Sequence, residues 1–225
     1  MKQYNGEKAI ISLTSWKARI NTVCKTLFSL IDQCPGFHIV LVLSEEEFPK
    51  KEDELPENLK IFIDNDLIEV LWVYKNYKSF KKVLFTMDKY RDVPVISADD
   101  DCIYTCNYAE CFYKLWLKNK TSCISIYNEV LYKNMQHHCG AATLYFPGAF
   151  NKFRLEMLTE KIMNTTEDDI FYTVFLNLVG KSNVLLYDKN VMINHDEISP
   201  LEAYWRGKTE ENFKIIELEL SNIIS

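Results

Sequence analysis

The run Val93-Pro94-Val95-Ile96-Ser97-Ala98 leads straight into Asp99, Asp100 and Asp101. A short, β-branched apolar run reads as a buried strand, so the three carboxylates emerge together where a strand meets solvent. Like charges packed at one strand end repel unless something cationic shares the site. A hard divalent cation meets that need, because Mg²⁺ or Mn²⁺ takes carboxylate oxygens and commonly substrate phosphates as well. Alternate residues of an extended segment project to the same side, which lets Asp99 and Asp101 act on one ion. The competing reading is a solvated turn, since Asp is common after strands.

Upstream, strand-like and helix-like patterns alternate. Ala9 to Leu13 is a short apolar run. Ile20, Val23, Cys24, Leu27, Phe28 and Ile31 then recur at helical spacing until Pro35-Gly36. His38 to Leu43 is a second buried run, Ile61-Phe62-Ile63 a weaker strand, and Glu69 to Tyr74 a better one. Ser79 to Tyr90 reads as helix, with Phe80, Val83, Leu84 and Met87 on one face. This order predicts an α/β protein with a mainly parallel sheet flanked by helices on both faces. In open sheets of that kind ligands bind beyond the carboxyl ends of the strands, where both Thr14-Ser15 and Asp99 to Asp101 fall.

The second half is less regular. Helices are expected over Ala109 to Leu117, near Phe150 to Leu158 after the Pro147-Gly148 turn, and after Glu167-Asp168-Asp169, with Ile170, Val174, Phe175 and Leu178 as the apolar set. Strands are expected at Cys123 to Tyr127, Ala141 to Phe146 and Val184 to Tyr187. From Glu210 to Ile224, Phe213, Ile216, Leu220 and Ile223 share a helical face. Such a stripe packs on its own domain or marks a dimer or membrane surface.

A chain of 225 residues, 48% hydrophobic and with six glycines and six prolines, describes a well-cored globular protein. A net charge of −6 gives no general attraction for nucleic acid or anionic lipid, so no nucleic-acid partner is expected. No stretch approaches the roughly 18 apolar residues of a membrane span, and Met1 to Glu7 does not resemble a signal peptide. Seven cysteines without a repeated spacing argue for a reduced, cytoplasmic setting. Cys24, Cys34, Cys123, Cys102, Cys106 and Cys111 read as packing residues. His137-His138-Cys139 lacks partners at zinc spacing.

The stretch Ile11-Ser12-Leu13-Thr14-Ser15-Trp16-Lys17-Ala18-Arg19-Ile20 is followed by Ser79-Phe80-Lys81-Lys82. Ser97-Ala98-Asp99-Asp100-Asp101-Cys102-Ile103-Tyr104 comes next, then Gly140 to Gly148 and Glu167-Asp168-Asp169-Ile170. In this order they resemble bacterial nucleotide-sugar glycosyltransferases of the GT-A fold, family 2-like enzymes of the capsule or lipopolysaccharide type with a D-x-D motif. The likeness covers about 9–187. It implies one GT-A, Rossmann-like domain over 1–225, with a nucleotide-sugar-binding half at about 9–105, an acceptor half at about 106–200 and a helical tail at 201–225.

By that resemblance Asp101 ligates Mn²⁺ or Mg²⁺ directly, Asp99 holds the ribose or a metal-bound water, and Asp100 supports either role. His195 is a further metal candidate, since some GT-A enzymes complete the shell with a C-terminal histidine. Thr14 and Ser15 can bond a base or ribose and Arg19 can fork onto a diphosphate, although N-capping and surface exposure explain them equally well. Lys82 is the member of the basic cluster Lys75, Lys78, Lys81 and Lys82 that best fits the family's block; the other lysines read mostly as solvated. An acidic pair before a helix serves as general base in the resembling enzymes. Asp168 and Asp169 both fit, with Asp169 favoured, while helix-dipole complementarity explains one or two of these carboxylates by itself.

The resulting expectation is a hexosyltransferase-type enzyme that moves a sugar from a nucleotide-diphosphate donor to a glycan or lipid-linked glycan hydroxyl, with inversion. Tyr145 to Gly148 and the acidic pair would line the acceptor side. A lipid-linked acceptor would be met peripherally, at the inner face of the membrane, and a homodimer is compatible with the tail. A metal-dependent nucleotidyltransferase is the rival enzyme, but the phosphate loop it usually needs is missing between Ala9 and Arg19. A non-catalytic carbohydrate-binding relative is the rival outside enzymology.

Overall fold

The computed structural model describes residues 6–33, 35–126, 131–132, 135–136, 141–187, 193–195 and 209–224. Four strands from the first half, Ala9–Thr14 (β1), Phe37–Ser44 (β2), Glu69–Val73 (β3) and Val95–Ser97 (β4), lie in the order β3-β2-β1-β4, all parallel. Beyond β4 the seven-stranded sheet continues with Thr143–Tyr145 (β9), Ser122–Ile126 (β6) and Ser182–Leu186 (β10). Only β9 runs against its neighbours. This is a mixed, mainly parallel sheet, as the alternating pattern predicts.

The central strands are apolar on both faces because both are covered. On one side Ile11, Leu13, Ile39, Leu41 and Leu43 meet helices Val23–Ile31 (α1), Glu57–Asp64 (α2) and Tyr108–Lys118 (α4). Their alternates Ile10, Val40, Val42 and Val95 meet Lys81–Lys89 (α3) and Asp168–Leu178 (α6). The two-residue period of a strand produces this division.

Four expectations are corrected. Ile61-Phe62-Ile63 lies in α2, where Leu59 and Phe62 are buried and Ile61 is exposed; three-residue spacing outweighs the apparent run once Pro56 starts the helix. Phe150 to Leu158 forms no α-helix: turns and a short 3-10 segment, Leu155–Met157, precede Glu160–Thr165 (α5). The reason is the Thr159 cap, whose hydroxyl accepts the Ile162 amide at 3.3 Å and starts the helix there. Phe28, placed with the buried set of α1, is exposed and meets Phe62 edge-on. Cys106 is exposed, whereas Cys24, Cys102 and Cys123 are buried as expected; Cys34 and His137 to Cys139 lie outside the described residues.

The C-terminal helix Thr209–Ile224 (α7) buries Phe213, Ile216 and Leu220 against its own domain, on α5 and α6, and leaves Ile223 exposed. Among the described residues, no helix is long and apolar enough to cross a membrane. Two short strand pairs were not among the expected elements. Cys102–Tyr104 (β5) pairs antiparallel with Ile193–His195 (β11), and Leu131–Tyr132 (β7) pairs with Met135–Gln136 (β8).

At the amino-terminal edge of the sheet Glu69, His38 and Tyr90 form a buried polar network that reaches solvent through Lys89. Glu69 lies 3.0 Å from His38 Nε2, accepts the Tyr90 hydroxyl at 2.5 Å, and is ion-paired with Lys89. Burial by itself would raise the Glu69 pKa, but the hydrogen bonds from His38, Lys89 and Tyr90 prevail and pull it from 4.5 to about 2. A depressed folded-state pKa contributes stability that is present above the unfolded value and disappears as pH falls through the folded one. Glu69→Gln is therefore expected to cost about 3 kcal/mol at neutral pH, the scale for breaking a buried pair. It should also flatten the loss of stability between about pH 4.5 and 2. Calorimetric melts across that range check both outcomes.

Candidate active site

The crossover direction reverses at β1. From β1 the chain moves outward to β2 and β3, then returns to place β4 on the other side. A crevice at such a switch point, beyond the carboxyl ends, is where open α/β sheets bind ligands. Ser15 follows β1 there and the three aspartates follow β4, forming the turn into β5.

Asp100 and Asp101 share Arg19, whereas Asp99 meets Lys82. Asp100 is buried: its Oδ2 accepts the Ser15 hydroxyl at 2.6 Å and its Oδ1 accepts Arg19 Nη1 at 2.8 Å. Burial raises its pKa while Ser15 and Arg19 oppose the rise. Arg19 Nη1 is also 2.9 Å from Asp101 Oδ2. Burial works against the Arg19 charge, but Asp100 and then Asp101 and Asp99 outweigh it and raise its pKa. Asp99 is ion-paired with Lys82 Nζ, and its amide donates at 2.8 Å to the Tyr104 hydroxyl oxygen, which itself donates to Ala141 O at 3.0 Å. Tyr104 thus orients the first aspartate, a role that its place in the sequence did not announce.

Carboxylate oxygens of Asp99 and Asp101 and the Cys102 thiol come within 4.8 Å of one another. Two partly exposed carboxylates are the hard ligands Mg²⁺ and Mn²⁺ prefer, and the soft, buried thiol adds nothing of that class. The donor set fits such an ion. Strand β11 sets His195 in register with Cys102, so its backbone runs beside the aspartate turn.

On the other side of Lys82, Asp168 and Asp169 occupy the first turn of α6, where the helix dipole favours negative charge. They are not equivalent. Asp168 is 7% exposed and its Oδ2 lies 3.1 Å from Lys82 Nζ. Burial pushes its pKa up to about 6, against the pull of Lys82. Asp169 is half-buried, and its Oδ1 accepts the Ile170 amide at 2.8 Å. Glu167 accepts the Asn212 amide group at 3.1 Å, fastening the start of α6 to α7.

The remaining candidates separate. Thr14 donates its hydroxyl to Val42 O at 2.7 Å, within the sheet, while Ser15 and Arg19 join the aspartates. Lys82, the candidate of the basic cluster, is buried, and so is Lys81, which was expected among the mostly solvated lysines; Lys75 is exposed. Burial lowers the Lys81 pKa although Glu47, 3.7 Å away, opposes this. Tyr145, expected to line a ligand pocket, is completely buried against Phe150 and Tyr172 and presents no surface to a ligand.

No protein-family model matches the sequence, and no curated protein does. Solved structures do match in fold. S. aureus TarS, in its 1–349 form with UDP-GlcNAc, superposes with a TM-score of 0.62 at 12% identity, over 96% of this chain and 67% of that one. The mannosyltransferase PcManGT from Pyrobaculum calidifontis, in complex with GDP-Man and Mn²⁺, gives 0.62 at 11% identity over 89% of this chain and 60% of that one. Against a longer TarS structure the chain covers 96% of itself and 40% of the other, with a TM-score of 0.59 at 13% identity. The fold is GT-A-like, and this chain spans only part of each of these proteins.

Proposed function

We propose that this protein is a divalent-metal-dependent glycosyltransferase that uses a nucleotide-diphosphate sugar. The observation that carries the reading is the convergence, at the switch point of a GT-A-like sheet, of Asp99 and Asp101 with the acidic start of α6. The solved relatives in fold, crystallised with UDP, UDP-GlcNAc, or GDP-Man and Mn²⁺, support that donor class. In this reading 9–105 is the donor half and 106–200 the acceptor half.

Asp99 and Asp101 would hold the ion, with His195 as a further candidate ligand from β11. When bound, Mn²⁺ or Mg²⁺ neutralises charge on the diphosphate as it leaves. Arg19, ion-paired with Asp100 and Asp101, is the cation assigned to that leaving group. Ser15 and Asp100 act from behind, fixing where Arg19 points. Asp169 is the general base: it combines partial exposure with a rigid helix start, so it can take the proton of an acceptor hydroxyl. Asp168 is too enclosed for that exchange. Attack from the Asp169 side displaces the nucleoside diphosphate directly and inverts the anomeric carbon. The acceptor is a bacterial glycan, free or lipid-linked, met by the protein at the cytoplasmic face of the membrane.

Incubation with a panel of nucleotide sugars and Mn²⁺ tests the reading. A glycosyltransferase releases a nucleoside diphosphate slowly to water and faster to acceptor. Release of pyrophosphate from a nucleoside triphosphate and a sugar phosphate would instead identify a nucleotidyltransferase. No release and no donor binding would leave a carbohydrate-binding protein on this fold.

A further inference from the structure

Lys82 is an unusual cation for a donor site because almost no solvent reaches it. The residue is 3% exposed, and its ammonium meets Asp99 on the aspartate turn and Asp168 on α6, at 3.1 Å from the latter. The backbone around it is fastened on both sides. The Lys82 carbonyl accepts the Ser12 hydroxyl from β1, and Ser12 also lies 2.7 Å from the Thr86 hydroxyl. The carbonyl of Phe80 accepts the Tyr172 hydroxyl from α6 at 3.0 Å. Lys82 therefore stands at a junction of β1, β4 and α6, with its position set before any ligand arrives.

A phosphate ligand needs donors facing the crevice. The Lys82 ammonium is enclosed and directed at two carboxylates, which leaves almost none of its surface open to a phosphate. We infer that Lys82 is a positioning residue: its ammonium ties Asp99 on the donor side to Asp168 on the base side. The tie holds the first turn of α6, and with it Asp169, at a fixed distance from the aspartate turn. This rests on the reading of Asp99 and Asp101 as the donor grip and Asp169 as the base. It differs from the expectation that Lys82 binds the nucleotide sugar itself.

The test compares wild type, Lys82→Met, Asp168→Asn and the double variant in hydrolysis of whichever nucleotide sugar the wild type cleaves, with melting temperatures measured alongside. A slackened α6 start misplaces the base without removing a donor contact. Lys82→Met should therefore lower kcat about 10²-fold, the scale of a misplacement of about 1 Å, while donor KM stays within about threefold (our working limit for no lost binding contact). Residues that act as a unit are non-additive, so the double variant should be no slower and no less stable than the worse single one. A donor KM raised about tenfold or more with kcat nearly intact, the signature of lost uniform binding, would make Lys82 a phosphate ligand and overturn the inference. Additive effects on both kcat and melting temperature would overturn it too. Should the wild type cleave no nucleotide sugar, the donor reading fails, and the melting-temperature cycle still decides whether Lys82 and Asp168 act as one unit.

Discussion

Asp169→Asn is expected to slow glycosyl transfer by about 10²–10⁴-fold, the range for loss of a general base, with donor KM little changed. The amide keeps the size and shape of the carboxylate and can still accept the Ile170 amide hydrogen bond made by Asp169 Oδ1. What disappears is the capacity to take a proton. Steady-state kinetics with a saturating acceptor measure the effect on kcat, and donor titration by calorimetry measures binding separately. Asp168→Asn should behave differently, because that side chain is enclosed and faces Lys82. Its dominant consequence is a buried ammonium that has lost a charged partner, seen as a lower melting temperature. If Asp168→Asn abolishes transfer at unchanged stability while Asp169→Asn is active, the two roles are reversed.

Asp101→Asn is expected to weaken Mn²⁺-dependent donor binding by more than about 100-fold. Disturbing residues that merely orient metal ligands already costs about 10–100-fold, and here a charged ligand itself is removed. Metal-free binding of the nucleoside portion should change far less. The fold should survive, because the carbonyl oxygen of the substituted amide can still accept from Arg19 and because Asp100 keeps its own bonds to Arg19 and Ser15. Calorimetric titration with and without Mn²⁺, beside a thermal melt, gives the comparison. Donor affinity that ignores both the substitution and Mn²⁺ would remove Asp101 from the metal site.

Local pattern carried a good part of the architecture. Buried strands in the first half were legible because two-sided burial demands continuous β-branched runs, as in His38 to Leu43 and Val93 to Ala98. The aspartates stood out as a candidate site for a related reason: three adjacent charges after such a run require an explanation that one would not. Segments with mixed signals went astray. Ile61-Phe62-Ile63 offers a strand-like triplet inside a helix, and Phe150 to Leu158 has helical spacing without a start signal before Thr159.

Ion pairing within the site lay beyond any local pattern. Lys82 reads as one basic residue among several until α3 is packed against β1, β4 and α6, which buries it between Asp99 and Asp168. Likewise Arg19, 81 residues before Asp100 in the chain, becomes part of the aspartate cluster only through parallel pairing of β1 and β4. The choice between Asp168 and Asp169 has the same origin. Adjacent identical residues have the same chemistry on paper, and only the helix rotation that hides one and half-exposes the other separates them.

What the linear chain determined by itself, then, was the alternation of buried strands and amphipathic helices and the place where negative charge had to gather. Those are properties of neighbours along the backbone, governed by side-chain period and by repulsion at short range. The tertiary structure decided which cation answers which carboxylate and which of the two α6 aspartates stays partly exposed. Desolvation and pairing energies depend on distances between segments that the sequence leaves tens of residues apart.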